Sequence, residues 1–531
     1  MSIAELPDKV RRPATRAGPP AKSAILEITP LITEIIEGGQ DVGSIAPVSM
    51  PAAGRLGAAV NHLKFAWPEM SAGWPVWAWQ IWFATILLTS MAAAFVLGPP
   101  LVAVTVLAGL SLTFFCFSLL RIHSLCNGLR PILAFETERF QVPSQTDEEL
   151  PDYTILVPLF GEAGIVTDLV LALEALTYPV SKLQVLIILE EADQATRDAI
   201  LRTPLPAHFV VITVPPGQPQ TKPRALNFAL LEARGEYVTV FDAEDVPEPD
   251  QLQKAVAAFR FGPKNLACVQ ARLNVYNPEK SWLTRQFTIE YTMLFDWLLP
   301  GLQALDLPVP LGGTSNHFRK SYLVAAGGWD PFNVTEDADL GIRLARMGYG
   351  VSVLNSTTWE EAPHGPSAWM RQRTRWLKGW MQTYLVHTRQ PLQLWRDLGA
   401  WRFWGLHALM GGPIVSALVH PWFYVLAAMN AWHGTLLQAP ANLNGQLLWA
   451  LGVFNLVSGY ATAAGLGAIA VQRRSRPWLS LHTLIMPVYW LMISYAAYRA
   501  LFQLVSAPYY WEKTEHTART AQHDPAAGNA G

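Results

Sequence analysis

A chain of 531 residues, 51% of them hydrophobic, 15% charged and 21 of them tryptophan, has room for several domains and is rich in the residue favoured at membrane interfaces. Its formal net charge of −2 excludes a bulk electrostatic attraction to nucleic acid. Its three cysteines, Cys116, Cys126 and Cys268, show neither metal spacing nor a disulfide framework, so they read as core or membrane residues.

Residues 1–70 are rich in Pro, Ala and Gly, and 1–50 read as disordered, with 55–70 a short interfacial helix. Two uncharged apolar runs follow, 74–98 and 101–120, each long enough to span the ~30 Å hydrocarbon core of a bilayer. Gly98, Pro99 and Pro100 between them suit a tight hairpin, and basic residues on both flanks put its ends in the cytoplasm. Residues 140–395 read as soluble, and apolar runs return at 403–432, 446–471 and 477–504. The organisation expected is therefore a cytoplasmic segment over 1–70, a membrane hairpin over 74–122 and a cytoplasmic domain over 140–395. Membrane and interfacial helices over 400–504 and a tail over 505–531 complete it.

Within the soluble part, short apolar runs alternate with amphipathic ones. Strands are predicted at 153–160, 183–189, 208–214 and 236–241, with helices at 162–176 and 222–234. This alternation predicts a parallel sheet with helices on its faces, whose ligands bind at the carboxyl ends of the strands. Acids collect at those ends: Glu190, Glu191 and Asp193 after one strand, Asp242, Glu244 and Asp245 after another. One such cluster alone is more often a helix cap or a solvated edge. Two together favour a hard divalent cation, with Asp242 and Glu244 reaching one ion. Further on, Thr335 reads as a helix N-cap with Glu336, Asp337 and Asp339 in the first turn.

The motifs "FDAED" (241–245), "TED" (335–337) and "QRTRW" (372–376), in that order within a membrane frame, resemble those of the processive, membrane-embedded family 2 glycosyltransferases, the cellulose synthase-like polysaccharide synthases. The resemblance covers about 75–510. It implies a Rossmann-like α/β GT-A domain set between transmembrane helices. It also implies inverting transfer from a nucleotide sugar, usually UDP-linked, with Asp337 as general base and Mg²⁺ or Mn²⁺ held by Asp242 and Glu244. Donor contacts are expected from Glu190, Glu191, Lys222, Arg224, Asp242, Gln372 and Arg375, with Trp376 stacking on the acceptor sugar. Departures from the family pattern are Glu244 as the second acid of the DxD motif, with Asp245 beside it as a substitute, and Glu190–Glu191 where paired aspartates are usual.

Looser matches make Asn227 a donor contact, 312–319 a small-residue loop under the acceptor and 359–363 an acceptor wall. His317 reads as a buried, hydrogen-bonded residue, and Lys378 and Trp380 as bilayer anchors. The segment 508–516, with Trp511, Lys513 and His516, resembles a gate over the donor site. Pro487 and Arg499 interrupt 477–504, which predicts an interfacial or re-entrant helix and a cytoplasmic tail. The expected function is polymerisation of a UDP-sugar, with UDP-glucose the commonest family donor, into a β-linked polysaccharide. Export would run through the membrane helices of a bacterial inner membrane. The partners are the donor, the growing chain, the lipid bilayer and accessory export proteins, with no nucleic acid. The alternatives are single-sugar transfer to a lipid carrier, against which "QRTRW" argues, and a transporter or scaffold with a degenerate domain, against which the intact acids argue.

Overall fold

The computed structural model describes residues 52–74, 76–97, scattered positions from 105 to 127, 148–436, 438–439, 441–510 and 512. The readings of 1–50, of the Gly98–Pro100 turn, of half of 101–120 and of Trp511, Lys513 and His516 lie outside the described residues.

Helix α1 (Ala52–Ala66) precedes α2 (Ala78–Leu97), a 20-residue helix without a charge. The domain then runs β1 (Tyr153–Leu159), α3 (Val166–Glu174), β2 (Leu183–Glu190), α4 (Gln194–Arg202), β3 (Phe209–Val214), α5 (Lys222–Leu230) and β4 (Tyr237–Val240). It continues with β5 (Val246–Pro247), α6 (Gln251–Phe261), β6 (Leu266–Val275), α7 (Trp282–Met293), β7 (Asn316–Arg319), α8 (Glu336–Arg346), β8 (Gly350–Glu360) and α9 (Pro366–His387). After it come α10 (Pro391–Leu406), α11 (Gly412–Trp432), α12 (Leu443–Arg473) and α13 (Met486–Ser506).

The eight strands form one sheet in the order β3-β2-β1-β4-β7-β6-β8-β5. β1 to β4 are parallel, as their alternation with helices predicts, and Ile155, Val157, Val185 and Ile187 are buried beneath the α3 side. Beyond these four strands the sheet is mixed: β7 runs antiparallel to both β4 and β6, and β5 antiparallel to β8. The antiparallel β7 is the short Asn316–Arg319 segment, whose polar residues do not read as a strand. They pair with β4 because their side chains are satisfied inside. His317 is fully buried, with Nδ1 2.7 Å from the Tyr153 hydroxyl and Nε2 3.2 Å from Gln251 Oε1. Burial lowers its pKa to about 3, so the ring is neutral.

Among the described residues, three segments are long and apolar enough to cross a membrane: Pro391–Trp432, Leu443–Arg473 and Pro477–Ser506. They are tied to the domain by charge. Arg474 grips Asp296 with two nitrogens at 2.6 and 2.5 Å, and Arg476 donates to the Val275 carbonyl at 3.0 Å. The stretch 477–504 is divided where the sequence suggested: a 3-10 helix, Pro477–Ile485, gives way to α13, and Pro487 lies in the first turn of α13, where a missing N–H costs nothing. Arg499 is partnered by Glu512 and by Thr374 of α9. Both ends of α13 touch the domain: Tyr489 meets Trp369 and Arg373, and the chain just past Ser506 meets Lys378.

A buried network joins α8 to α9. Asp339 accepts from Arg343 at 2.7 Å, with His387 Nε2 at 3.1 Å, and His387 Nδ1 lies 3.2 Å from Arg346. Asp339, Arg343 and His387 are all at most 1% exposed. Removing one partner of such a group strands the others in a low dielectric. Asp339→Asn is expected to cost about 3–5 kcal/mol of stability, read as a lower denaturant midpoint of the detergent-solubilised protein. An unchanged midpoint would show that the network is not what joins the two helices.

Candidate active site

A cleft of about 840 Å³ opens at the carboxyl ends of β1, β2 and β4. It is lined by Glu190, Lys222, Asp242, Glu244, Gly312, Gly313, Glu336, Asp337, Glu360, Gln372, Arg375 and Trp376, among others. The three motifs, up to 135 residues apart in sequence, therefore meet on one surface.

The turn after β4 is fixed from below. Asp245 is fully buried, accepts the Asp242 N–H at 2.7 Å and takes the Thr314 hydroxyl. It is thus turned away from the cleft and does not substitute for Glu244, which lines it. Lys222 forms an ion pair with Asp242 and donates to the Gly313 carbonyl at 2.8 Å. Opposite lies the start of α8. Thr335 holds the N-cap position without a side-chain capping bond; its N–H instead donates to Asn333 Oδ1 at 3.0 Å. Asn333 is held by Thr383 at 2.9 Å, and the Val334 N–H donates to Gln382 Oε1 at 3.2 Å, so α9 positions the whole turn. Gly379 makes this possible: a Cβ there would lie 2.4 Å from Thr335 Cγ2.

Negative charge crowds the cleft. Burial, then Asp337, raises Glu336 to about 8, and burial, then Glu244, raises Glu360 to about 8. Asp337, half-buried, is raised to about 6 by burial, against the pull of the Ala338 N–H, Lys222 and Arg375. The same burial lowers the Arg375 pKa, opposed by Glu336, Asp242, Asp337 and Glu244. Among the described residues no three His, Cys, Asp or Glu side chains form a self-sufficient metal site. Asp242 and Glu244 nevertheless offer hard oxygen donors facing the cleft in an excess of negative charge, which fits a Mg²⁺ or Mn²⁺ that completes its shell with ligand oxygens and water.

Other expected contacts are placed as follows. Gln372 lines the cleft, and its Oε1 is buried without a protein partner. Glu190 lines it too, but its carboxylate is taken by Arg224, which is fully buried behind it and does not line the cleft. Glu191 is exposed and lies outside the lining. The strand alternation explains both: consecutive residues at a strand end point apart, so only one of the two glutamates faces inward. Asn227 also plays another part, bonding to Ala59 and Trp329 of the scaffold. Lys378 is buried, donating to the Ala507 and Tyr510 carbonyls at 3.2 and 2.6 Å, rather than lying at a bilayer surface. It thereby seats the segment whose Tyr509 and Tyr510 line the cleft, and Tyr509 donates to the Ala72 carbonyl at 3.0 Å. Tyr291, Phe332, Tyr509 and Tyr510 are lining residues that the sequence analysis did not single out. Only the aromatic pair in 508–516 carried a signal.

A second cavity of about 440 Å³ lies between the domain and the C-terminal helices. Tyr291, Leu294, Trp376 and Trp380 line both cavities, so the two adjoin across these four residues, Trp376 among them.

Residues 151–379 match the family described as "Glycosyltransferase like family 2". The protein named "Probable glycosyltransferase YdaM" of Bacillus subtilis (strain 168) is 29% identical over 275 residues, 51% of this chain and 64% of that one. A poly-beta-1,6-N-acetyl-D-glucosamine synthase of Staphylococcus aureus is 25% identical over 285 residues, 54% of this chain and 65% of that one. The chain thus spans less than two thirds of the length of these curated relatives. Among solved structures, the mannosyltransferase PcManGT from Pyrobaculum calidifontis, in complex with GDP-Man and Mn²⁺, shares the fold. Its TM-score is 0.50 and its identity 18%, over 76% of this chain and 98% of that one. Over residues 151–379 the chain is thus similar to family 2 glycosyltransferases, and its fold is GT-A-like.

The Gly379–Thr335 contact tests how tightly the site is built. Gly379→Ala must push Thr335 and the turn behind it into the cleft. A displacement of this size is expected to cut donor turnover by about 100-fold with nucleotide binding reduced less. Unchanged turnover would show that α9 does not fix the turn.

Proposed function

We propose that the protein is an inverting membrane glycosyltransferase that polymerises a nucleotide sugar into a β-linked polysaccharide and passes the chain out through its C-terminal helices. The observation that carries this reading is that the two cavities adjoin across residues that include Trp376. The first is charged and suits a diphosphate. The second leads away between membrane helices and has the mixed lining of a saccharide path. It is bordered by Trp376, Tyr489 and Trp490, and by Gln286 and Ser494, whose Oε1 and Oγ have no protein partner. Aromatic faces suit sugar rings, and unpartnered polar atoms suit hydroxyls or water.

In this reading the donor diphosphate lies between Lys222, Arg375 and the Asp242–Glu244 turn. A divalent ion bound there supplies charge stabilisation to the leaving diphosphate. Asp337 takes the proton of the acceptor hydroxyl, whose oxygen forms the new bond to the anomeric carbon as the bond to the diphosphate breaks. Arg375 offsets the charge left on the diphosphate with its planar fork of donors. Gln372 offers its unpartnered oxygen to a sugar or ribose hydroxyl, and Trp376 stacks on the terminal sugar of the chain. Tyr509 and Tyr510 close the nucleotide side. Arg473, Arg474 and Arg476 on the domain side of α12, and the contact of both ends of α13 with the domain, support a cytoplasmic domain with α13 at the interface of a bacterial inner membrane. UDP-glucose is the first donor to test. GDP-mannose, carried by the fold relative, and UDP-N-acetylglucosamine complete the panel.

Radiolabelled donors, followed by linkage-specific hydrolases, test the reading: one donor is expected to give a high-mass product that a β-specific enzyme degrades. Transfer of single sugars to lipid would replace it with the lipid-carrier reading. Asp337→Asn is expected to lower transfer by more than about 1,000-fold while nucleotide binding stays within a few-fold. With the Asp337 pKa at about 6, the wild-type rate falls with decreasing pH below that value, because the protonated carboxyl accepts no proton, and levels off above it. A rate flat from pH 5 to 8 would remove Asp337 as the base. Asp242→Asn is expected to abolish the Mg²⁺ or Mn²⁺ dependence of nucleotide binding; a titration like that of the parent would put the ion elsewhere.

A further inference from the structure

Between Gln372 and Arg375, both lining the first cleft, stands a residue that does not line it. Arg373 lies on the face of α9 that carries Trp369 and Trp376, at helical spacings of four and three. It is 6% exposed, and its guanidinium is engaged through Nη1 and Nη2, while Nε has no protein partner. Nη1 and Nη2 donate to the two oxygens of Glu290, each at 2.8 Å, and Nη2 also donates to the Tyr489 hydroxyl at 2.8 Å. Tyr489 in turn donates to Glu290 at 2.7 Å and accepts from the Trp369 indole at 3.2 Å. Glu290 sits on α7 and Tyr489 on α13, so three helices are joined through one guanidinium.

The cation is held against aromatic rings. Its carbon lies 4.7 Å from the centre of the Trp376 ring, nearer than to Trp369 at 5.3 Å, Phe287 at 5.6 Å or Tyr489 at 5.8 Å. The Trp376 ring is also nearly parallel to Tyr291 of α7, at 6.1 Å and 19°. Tryptophan has two side-chain torsions to fix, and this one lines both cavities while packing on Arg373, Tyr291 and Phe287. A ring in that position needs a partner that is planar, charged and itself immobile. Arginine stacked on indole and forked to a carboxylate is such a partner, and lysine is not.

We propose that Arg373 is a positioning residue for the acceptor: locked by Glu290 and Tyr489, it sets the plane of the Trp376 ring and so couples the seating of α13 to the binding of the sugar chain. This rests on the reading of Trp376 as the acceptor's stacking surface. Arg373 does not line the first cleft, where this reading places the donor and the reacting atoms. Its loss should therefore act on acceptor use and spare the donor. Transfer of the donor's sugar to water uses the first cleft alone and serves as the internal control.

The test takes the full-length protein in nanodiscs with whichever of UDP-glucose, UDP-N-acetylglucosamine and GDP-mannose it turns over. Arg373→Lys and the milder Tyr489→Phe are compared with Trp376→Ala. Arg373→Lys is expected to raise the acceptor KM, or to shorten the product, roughly tenfold, with donor hydrolysis unchanged, and Tyr489→Phe to raise the acceptor KM about threefold. In a Trp376→Ala background Arg373→Lys should add less than about twofold, because the ring it positions is gone. Equal effects of Arg373→Lys with and without Trp376, or a matching fall in donor hydrolysis, would overturn the proposal and leave a general packing role. A normal acceptor KM in Trp376→Ala would instead sink the underlying reading of that ring. A structure of Tyr489→Phe needs no turnover: a displaced Trp376 ring is expected, and an unmoved one would contradict the coupling.

Discussion

The architecture depends on one electrostatic constraint: Asp242, Glu244, Glu336, Asp337 and Glu360 all line a single cleft in which Lys222 and Arg375 are the opposing charges. Carboxylates this close cannot all ionise in a low dielectric, and the raised pKa values of Glu336 and Glu360 express the conflict. The fold accepts the strain by bracing each acid from behind. Asp245 and Thr314 hold the turn after β4. Asn333, Gln382 and Thr383 hold the turn before α8. An arrangement that is costly alone and that a bound cation would relieve marks a candidate binding site by its energetics.

Helix α9 carries most of this bracing. Its first half presents Gln372, Arg375 and Trp376, and its second half supports the turn that ends in Asp337. The same helix packs along α13, with Tyr489 at one end and the Lys378-bound carbonyls at the other. Membrane-proximal and cleft-lining residues are thus consecutive on one rigid element, and a change in the seating of α13 is felt at Trp376 without a long relay. The tyrosines at 509 and 510 reach the cleft because Lys378 is buried under them. That burial, opposed by the charge of Glu512, lowers its pKa to about 8.

Much of the cleft was legible because it is built from strand ends and a helix start. The runs at 153–160, 183–189, 208–214 and 236–241 became β1 to β4 within a residue or two, and Thr335 fell at its helix start. The acids of the motifs lie where the pattern put them. What the pattern did not carry was direction across the chain. Glu190 and Glu191 are equivalent in sequence, and only the register of β2 turns one inward. Arg224 and Lys222 both read as donor contacts, yet the first is spent on Glu190. Lys378 read as an interfacial cation because its partners, the carbonyls of Ala507 and Tyr510, lie about 130 residues away and leave no local trace. The antiparallel β7 was missed for the same reason: its His317 and Asn316 look like loop residues until Tyr153 and Gln251 are placed beside them.

The central claim is that synthesis in the first cleft and passage through the second cavity are one process. Proteoliposomes with the catalytic domain facing outward, supplied with labelled nucleotide sugar and Mn²⁺ in the outer medium, test it most directly. The account predicts labelled polymer that resists an added glycosidase until detergent opens the vesicles. Polymer digested equally well before detergent, or label confined to single-sugar lipid, would contradict it.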